Sequence, residues 1–144
     1  MTATALQMPL EDFVCVWPQI QQEMDKVPHI WEPWYTKQHL FNCVLAGQFQ
    51  VWAAGHDGSV RLFLFTQIAF YPAAKVLQGI LVLGNSLDHC ADAIWAATEQ
   101  FARQEECTRV EILGRAGWER KLHKFGFRKM NVVLGCPVRE TRIQ

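Results

Sequence analysis

The stretch that decides the fold is Val110-Glu111-Ile112-Leu113-Gly114-Arg115-Ala116-Gly117-Trp118-Glu119-Arg120-Lys121-Leu122-His123-Lys124-Phe125-Gly126-Phe127-Arg128. Its apolar beginning, Val110 to Leu113, predicts the end of a short strand, which a glycine stops. Trp118, Leu122 and Phe125 then recur at i, i+4 and i+7, which is the spacing of one helix face. The stretch therefore predicts a strand followed by an amphipathic helix.

The end of that helix and the residues after it are also marked in the sequence. Gly126 lacks a Cβ and suits the left-handed residue that ends many helices. Phe127 then opens an apolar run, and Met130 to Leu134 predicts another strand. The order is strand, helix, glycine and strand.

Upstream, three apolar runs predict an antiparallel meander. The runs are Phe49 to Ala54, Val60 to Tyr71 and Lys75 to Leu83. Asp57-Gly58 lies between the first two, and this dipeptide is a strong hairpin signal. The continuous apolar end of the third run indicates a strand that is buried on both faces.

A long helix is predicted from Leu87 to Glu106, because apolar residues recur there at three- and four-residue steps. A strand from Thr108 to Leu113 follows this helix. Strands joined by a helical crossover lie parallel in one sheet, so we expect it beside Lys75 to Leu83.

Two further helices are predicted before the strands. Leu10 to Val27 has a helical apolar stripe, in which Pro18 either starts the main helix or kinks a longer one. We favour a start near Trp17-Pro18, with a turn or short helix before it. Thr36 is the expected N-cap of a second helix from Lys37 to Ala46. The fold class is α/β (α+β), with a mixed, mostly antiparallel sheet of about six strands and about four helices in a single domain, residues 1–144.

The connection between the first two helices is broken by prolines and rich in aromatic residues. It contains Trp31, Trp34 and Tyr35, although loops are usually polar. The rings either fold back over the core or form a protein interface or substrate-side wall, where Trp and Tyr are enriched.

Composition limits the classes of function. The chain has 144 residues, half of them apolar, and 14 basic residues balance 14 acidic ones. A nucleic-acid or anionic-membrane partner would usually show as an excess of Lys and Arg, so neither is expected. Nothing near the N-terminus has the pattern of a signal peptide, so we expect no secretion. The five cysteines are spaced too widely for a zinc site or disulfide framework, and we expect neither a metal nor a disulfide.

The run Leu122-His123-Lys124-Phe125-Gly126-Phe127, after its strand and helix, resembles the C-terminal part of the GNAT (N-acetyltransferase) superfamily. The phrase from Gly114 to Glu119 is similar to small GNAT-like proteins of short-tailed bacteriophages, of the internal virion protein A type. The resemblance implies a GNAT fold, acetyl-CoA as a cofactor, and, through the phage proteins, phage structural proteins as partners in the host cytoplasm or the virion.

The sequence departs from the GNAT pattern at two places. GNAT enzymes usually hold the cofactor pyrophosphate in an Arg/Gln-x-x-Gly-x-Gly/Ala loop at a helix start. Here the loop is Gly84, Asn85 and Ser86, and Asp88 follows in the first turn with a charge that repels phosphate. Leu122 stands where the family often has a tyrosine acid.

Several other polar residues are candidates for a functional role. Glu111 faces solvent or acts as a base for an amine. His89 next to Cys90 does not form a catalytic pair, because neighbouring residues on a helix point apart. Lys121, Lys124, Arg128 and Lys129 form a basic cluster that is either a solvated surface or a site for a phosphate or acidic partner. No catalytic residue is assigned.

Two hypotheses follow. The first, which the acid at the helix start favours, is a non-catalytic virion assembly or interaction protein without a cofactor. It would contact other proteins through Trp31, Trp34 and Tyr35 or through the apolar Trp52 region. The second is a divergent N-acetyltransferase that binds acetyl-CoA through Gly84, Asn85 and Ser86. One scaffold hosts many functions, so the fold does not choose between them.

Overall fold

A computed structural model describes residues 2–115 and 117–139. The strands are β1 (Thr4–Gln7), β2 (Gln50–His56), β3 (Ser59–Tyr71), β4 (Ala74–Gly84) and β5 (Arg109–Ile112). The helices are α1 (Leu10–Asp25), α2 (Lys37–Leu45), α3 (Leu87–Gln104) and α4 (Trp118–Leu122), with 3-10 turns at Pro28–Ile30 and His123–Phe125. The α/β class and the mixed sheet are confirmed.

The sheet has the order β1-β2-β3-β4-β5. The first four strands pair antiparallel, and β5 pairs parallel to β4. Asp57 and Gly58, which join β2 to β3, both have positive φ, as a two-residue hairpin turn requires. The antiparallel pairing of β2, β3 and β4 confirms the predicted meander. The parallel pairing of β5 with β4, across the α3 crossover, confirms the predicted parallel pair.

Helices cover both faces of the sheet. Helices α1 and α2 bury one face in a core that contains Phe13, Ile20, Leu40, Phe63 and Phe65. Helix α3 covers the other face, where Leu62 and Cys90 are buried, and α4 packs beside it through Leu122. We call these the α1/α2 face and the α3/α4 face.

The C-terminal strand prediction is wrong. No helix or strand forms from 126 to 139, and the apolar side chains of the predicted strand Met130–Leu134 are largely exposed. Periodicity identifies a segment that can form a strand, but a strand also has to pair, and this run pairs with neither edge strand of the sheet. The sheet consequently has five strands where about six were expected.

The N-terminal half differs from the prediction at two points. Strand β1 was not predicted, because four residues carry little pattern, and its pairing with β2 is a tertiary contact. Helix α1 begins at Leu10 rather than near Pro18. Pro18 lies on the exposed side of α1, where water can satisfy the carbonyl that its missing N–H leaves free.

The predicted N-cap of α2 is confirmed. The Thr36 hydroxyl accepts a hydrogen bond from the His39 backbone N–H at 3.0 Å. This contact starts α2 directly after the aromatic connection. Within residues 2–115 and 117–139, none of the helices combines the length and hydropathy that a membrane span needs.

Candidate functional site

The two parallel strands separate part-way along the sheet. Their register runs from Val76 opposite Arg109 to Gly79 opposite Ile112, and the last hydrogen bond joins the Leu113 N–H to the Gly79 carbonyl at 2.8 Å. Strand β4 then continues to Gly84 along β3. A gap therefore opens between β4 and the chain that follows β5, and we call its closed end the branch point.

A bulge in β4 coincides with the branch point. Thr66 pairs with Gly79 and Phe65 with Leu81, so Ile80 is the extra residue. Ile80 and Leu81 both pack into the core on the α1/α2 face. An extra residue bends a strand and increases its twist, and this accounts for the divergence of β4 from β5.

The loop Gly84–Ser86 leads from β4 into α3 through a tight turn. Gly84 has φ of 105°, and an added Cβ would collide with the Arg61 carbonyl oxygen. The Asn85 N–H donates to that same carbonyl at 2.9 Å. Only a residue without a Cβ fits at Gly84.

Ser86 holds a left-handed conformation, with φ of 66°, immediately before α3. A left-handed residue followed by a helical one is the backbone alternation that forms anion-binding nests. The Ser86 hydroxyl donates to the Asn85 side chain at 3.0 Å and does not cap the helix. Among the described residues, the Leu87 and Asp88 amides have no hydrogen-bond acceptor. The N-terminus of α3 therefore offers free N–H donors at the positive end of its dipole.

The acidic residues of α3 are paired with lysines of the α4 region. The Asp88 carboxylate lies 3.3 Å from Lys121 Nζ, and Asp92 lies 3.3 Å from Lys124 Nζ. Both carboxylates are largely exposed, so the pairs add little stability. They do show that the Asp88 carboxylate is turned to α4 rather than to the free amides. The charge argument against phosphate, which rests on Asp88, is weaker than the sequence indicated.

A row of polar side chains crosses the sheet beside the branch point. Gln67, Gln78 and Glu111 are register partners on β3, β4 and β5, so their side chains share the α1/α2 face. Gln67 Nε2 donates to Gln78 Oε1 at 2.9 Å, and Gln78 Nε2 lies 3.5 Å from Glu111 Oε1. Arg109 pairs with Glu111 at 2.6 Å. Glu111 was noted in the sequence, whereas the two glutamines were missed, although a polar residue inside an apolar strand was the available signal.

The residue that replaces the expected tyrosine acid is buried. Leu122 is 8 % exposed and offers no proton. Tyr71 lies half-exposed near the end of β3. Tyr35 lies in the connection between α1 and α2, near Phe49. Burial, and secondly the charge of Cys43, raises the pKa of Tyr35 above its ordinary value.

The three residues predicted to contact a partner lie in different environments. Trp31 is 6 % exposed, and its Nε1–H donates to the Met24 carbonyl at 2.8 Å. Tyr35 is half-buried and packs edge-on against Phe49. Trp34 is 64 % exposed. The prediction of a contact surface at Trp52 is wrong, because that ring is buried in the sheet at 2 % exposure. The interaction role stays a prediction, and of the three rings Trp34 has the most surface available for it.

His89 and Cys90 point apart, as their adjacency on α3 predicts. The His89 ring lies against His56, with centroids 4.7 Å apart. Cys90 is fully buried, and burial raises the pKa of its thiol while the charge of Arg61 partly opposes the shift. No cluster of three His, Cys, Asp or Glu side chains suited to a metal occurs in residues 2–115 and 117–139.

Comparison with solved structures identifies the fold. A probable acetyltransferase superposes with a TM-score of 0.72 at 15 % identity, over 95 % of this chain and 99 % of that one. The chain has the GNAT fold. A predicted acetyltransferase from Clostridium acetobutylicum, solved with acetyl-CoA, gives 0.63 at 10 % identity over 94 % and 96 % of the two chains.

A third GNAT-fold structure extends the comparison. A GNAT family acetyltransferase from Staphylococcus aureus gives a TM-score of 0.65 at 9 % identity, covering 96 % of this chain and all of that one. No family model and no curated protein sequence matches the chain. At these identities the likeness concerns the fold.

Proposed function

We propose that this protein is a GNAT-fold N-acyltransferase that binds a coenzyme A thioester without a tyrosine acid. The observation that carries the proposal is the free N-terminus of α3 at the mouth of the β4–β5 gap, with the Asp88 carboxylate paired to Lys121 instead of covering it. Free helix amides next to a paired acid can accept a phosphate group.

The chain's own residues suit the coenzyme as follows. The amides of Leu87 and Asp88 and the nest at Ser86 would hold the pyrophosphate, and Lys121 offsets the charge of the Asp88 carboxylate. The side of β4 from Ile80 to Gly84 that β5 leaves unpaired would face the pantetheine arm. When bound, the thioester supplies an activated acyl carbon.

Glu111 is the residue best suited to the acceptor amine. Its carboxylate lies one residue before the branch point, where Gln78 and Arg109 orient it. A carboxylate can attract a protonated amine and accept its proton before attack on the acyl carbon. Since Leu122 has no proton to give, the departing sulfur takes its proton from solvent.

Calorimetric titration with acetyl-CoA tests the proposal. We expect a dissociation constant in the micromolar range, and Ser86→Glu should weaken binding at least tenfold, because a carboxylate then stands beside the free amides. Ser59→Glu is the matched control, since it makes the same change in the exposed β2–β3 hairpin and should leave binding unchanged. No heat with the parent protein would overturn the proposal.

The second candidate is a non-catalytic interaction protein of the phage virion. It is supported by Leu122 in place of an acid, by the exposed Trp34 ring, and by the exposed apolar residues after Phe127, which are Met130, Val132, Val133, Leu134 and Val138. Large exposed apolar groups commonly mark protein contacts. Structural phage genes next to the coding region, or the protein itself in purified virions by mass spectrometry, would favour this candidate over the enzyme.

A further inference from the structure

A cavity lies under the branch point, between the sheet and helices α3 and α4. Its volume is about 50 Å³. Its lining includes Leu64, Leu77, Gly79, Ile94, Trp95 and Ile112. Val82 on the free part of β4 and Leu87 at the start of α3 also line it. The cavity thus extends from the α3 N-terminus to the pair of residues at which β4 and β5 separate.

The chemistry of the lining favours an apolar occupant. The polar side chains of the lining are two threonine hydroxyls and Glu111, and all three are already engaged, Glu111 with Arg109 and Gln78. Thr66 Oγ1 accepts from Trp52 Nε1 at 2.9 Å and donates to Gln50 at 2.8 Å, while Thr98 Oγ1 donates to the Ile94 carbonyl at 2.7 Å. In the described parts of the chain, every buried side-chain nitrogen and oxygen has a partner. Water needs polar partners to occupy a cavity, and this one leaves few.

Gly79 keeps the cavity open towards the branch point. A Cβ at this position would lie 3.2 Å from Ile112 Cγ1 and 3.4 Å from Leu64 Cδ1. Any larger residue would therefore crowd these two cavity-lining side chains and reduce the space between them. The absence of a side chain at Gly79 leaves that space to a ligand.

We infer that this cavity receives the aliphatic chain of the acyl group, so that the protein prefers short-chain acyl thioesters such as propionyl or butyryl over acetyl. The inference rests on the proposed function. A cavity of about 150 Å³ accepts the six carbons of benzene, so about 50 Å³ has room for roughly two or three carbons beyond the reacting carbonyl.

Calorimetry with a chain-length series tests the inference on the unaltered protein. Each added methylene should tighten binding about fourfold from acetyl- to propionyl- to butyryl-CoA. Octanoyl-CoA should bind more weakly than butyryl-CoA, because its chain exceeds the cavity. Binding that is equal across the series, or strongest for acetyl-CoA, would overturn the inference and leave the proposed function standing. No binding of any thioester would overturn both.

Two variants of α3 test whether the preference for butyryl-CoA arises from this cavity. Ala91 lines the cavity and is 4 % exposed, so Ala91→Leu should fill it and remove the preference for butyryl-CoA while acetyl-CoA binding is kept. Ala96→Leu makes the same change on the exposed side of the helix and should keep the preference. Circular dichroism checks that both variants fold. A folded Ala91→Leu protein that retains the butyryl preference would place the chain elsewhere and refute the assignment of this cavity.

Discussion

At the scale of single residues, chemically identical side chains in one segment differ in environment. Trp31 and Trp34 lie three residues apart between α1 and α2, yet the first is buried and the second exposed. The Trp31 indole is fixed by its hydrogen bond to the Met24 carbonyl near the end of α1. The connection is therefore anchored to the core by one tryptophan and presents the other to solvent.

This difference predicts the stabilities of two matched variants. Trp31→Phe should lower the free energy of unfolding by roughly 1–3 kcal/mol, because it removes a buried hydrogen bond and part of a packed ring. Trp34→Phe should change it by less than about 0.5 kcal/mol, as is usual for exposed positions. Urea unfolding followed by circular dichroism measures both. Equal effects in the two variants would contradict the buried hydrogen bond.

At the scale of elements, helices α2 and α3 differ in how their first turns begin. Helix α2 begins with a side-chain cap at Thr36, whereas α3 begins with Ser86 in a left-handed conformation and no side-chain cap. The Thr36 hydroxyl lies over the first turn of α2, where it accepts from the His39 N–H, whereas no side-chain cap lies over the first turn of α3. The two starts accordingly suit a structural helix and a binding helix.

The cap of α2 leads to a second prediction. Thr36→Ala should cost about 1 kcal/mol of stability, because the His39 N–H loses its acceptor. Thr36→Ser keeps the hydroxyl and should retain most of that stability. Chemical denaturation of the three proteins at one pH compares them, and an alanine variant as stable as the serine variant would show that the cap contributes nothing.

At the scale of the whole molecule, the sheet and the C-terminal region are held differently. Strands β2, β3 and β4 are paired on both sides and buried by helices on both faces. The α4 region contacts α3 through Leu122, two Asp–Lys pairs and Trp95, whose ring lies 5.8 Å from that of Phe125 and 5.2 Å from that of Phe127. Its local stability should be lower than that of the sheet.

Hydrogen exchange tests this division. Trp95→Ala should speed amide exchange in residues 118–125, because the aromatic contacts that hold them on α3 are lost, while β3 and β4 stay protected. Trp34→Ala, at an exposed ring, should leave both regions unchanged. If β3 exchanges as fast as α4 in the Trp95 variant, the molecule unfolds as one unit and the division is incorrect.

Much of the architecture could be predicted from local patterns, and the failures have physical causes. The hairpin at Asp57-Gly58, the Thr36 cap and the α3 crossover depend on nearby residues, and all three are confirmed. Strand β1 and the separation of β4 from β5 depend on partners distant in sequence. For the same reason the apolar run Met130–Leu134 predicted a strand that the described structure does not form.

The candidate site was predicted in part. The sequence identified Gly84, Asn85, Ser86 and Glu111 as residues of interest, and the structure brings the first three to the α3 N-terminus and the fourth to the branch point. Asp88 was interpreted from its position alone as a charge that repels phosphate. Its pairing with Lys121 joins residues 33 positions apart, and no local pattern reports such a contact.

The sequence by itself determined the order of the main helices and strands, because propensity, apolar spacing and turn residues act over a few positions. Only the tertiary structure decided that β4 and β5 diverge, that the Asp88 carboxylate turns to α4, and that an apolar cavity lies under Gly79. Each of these depends on side chains that the fold brings together from distant parts of the chain. Their geometry exists only once the sheet and its helices have packed.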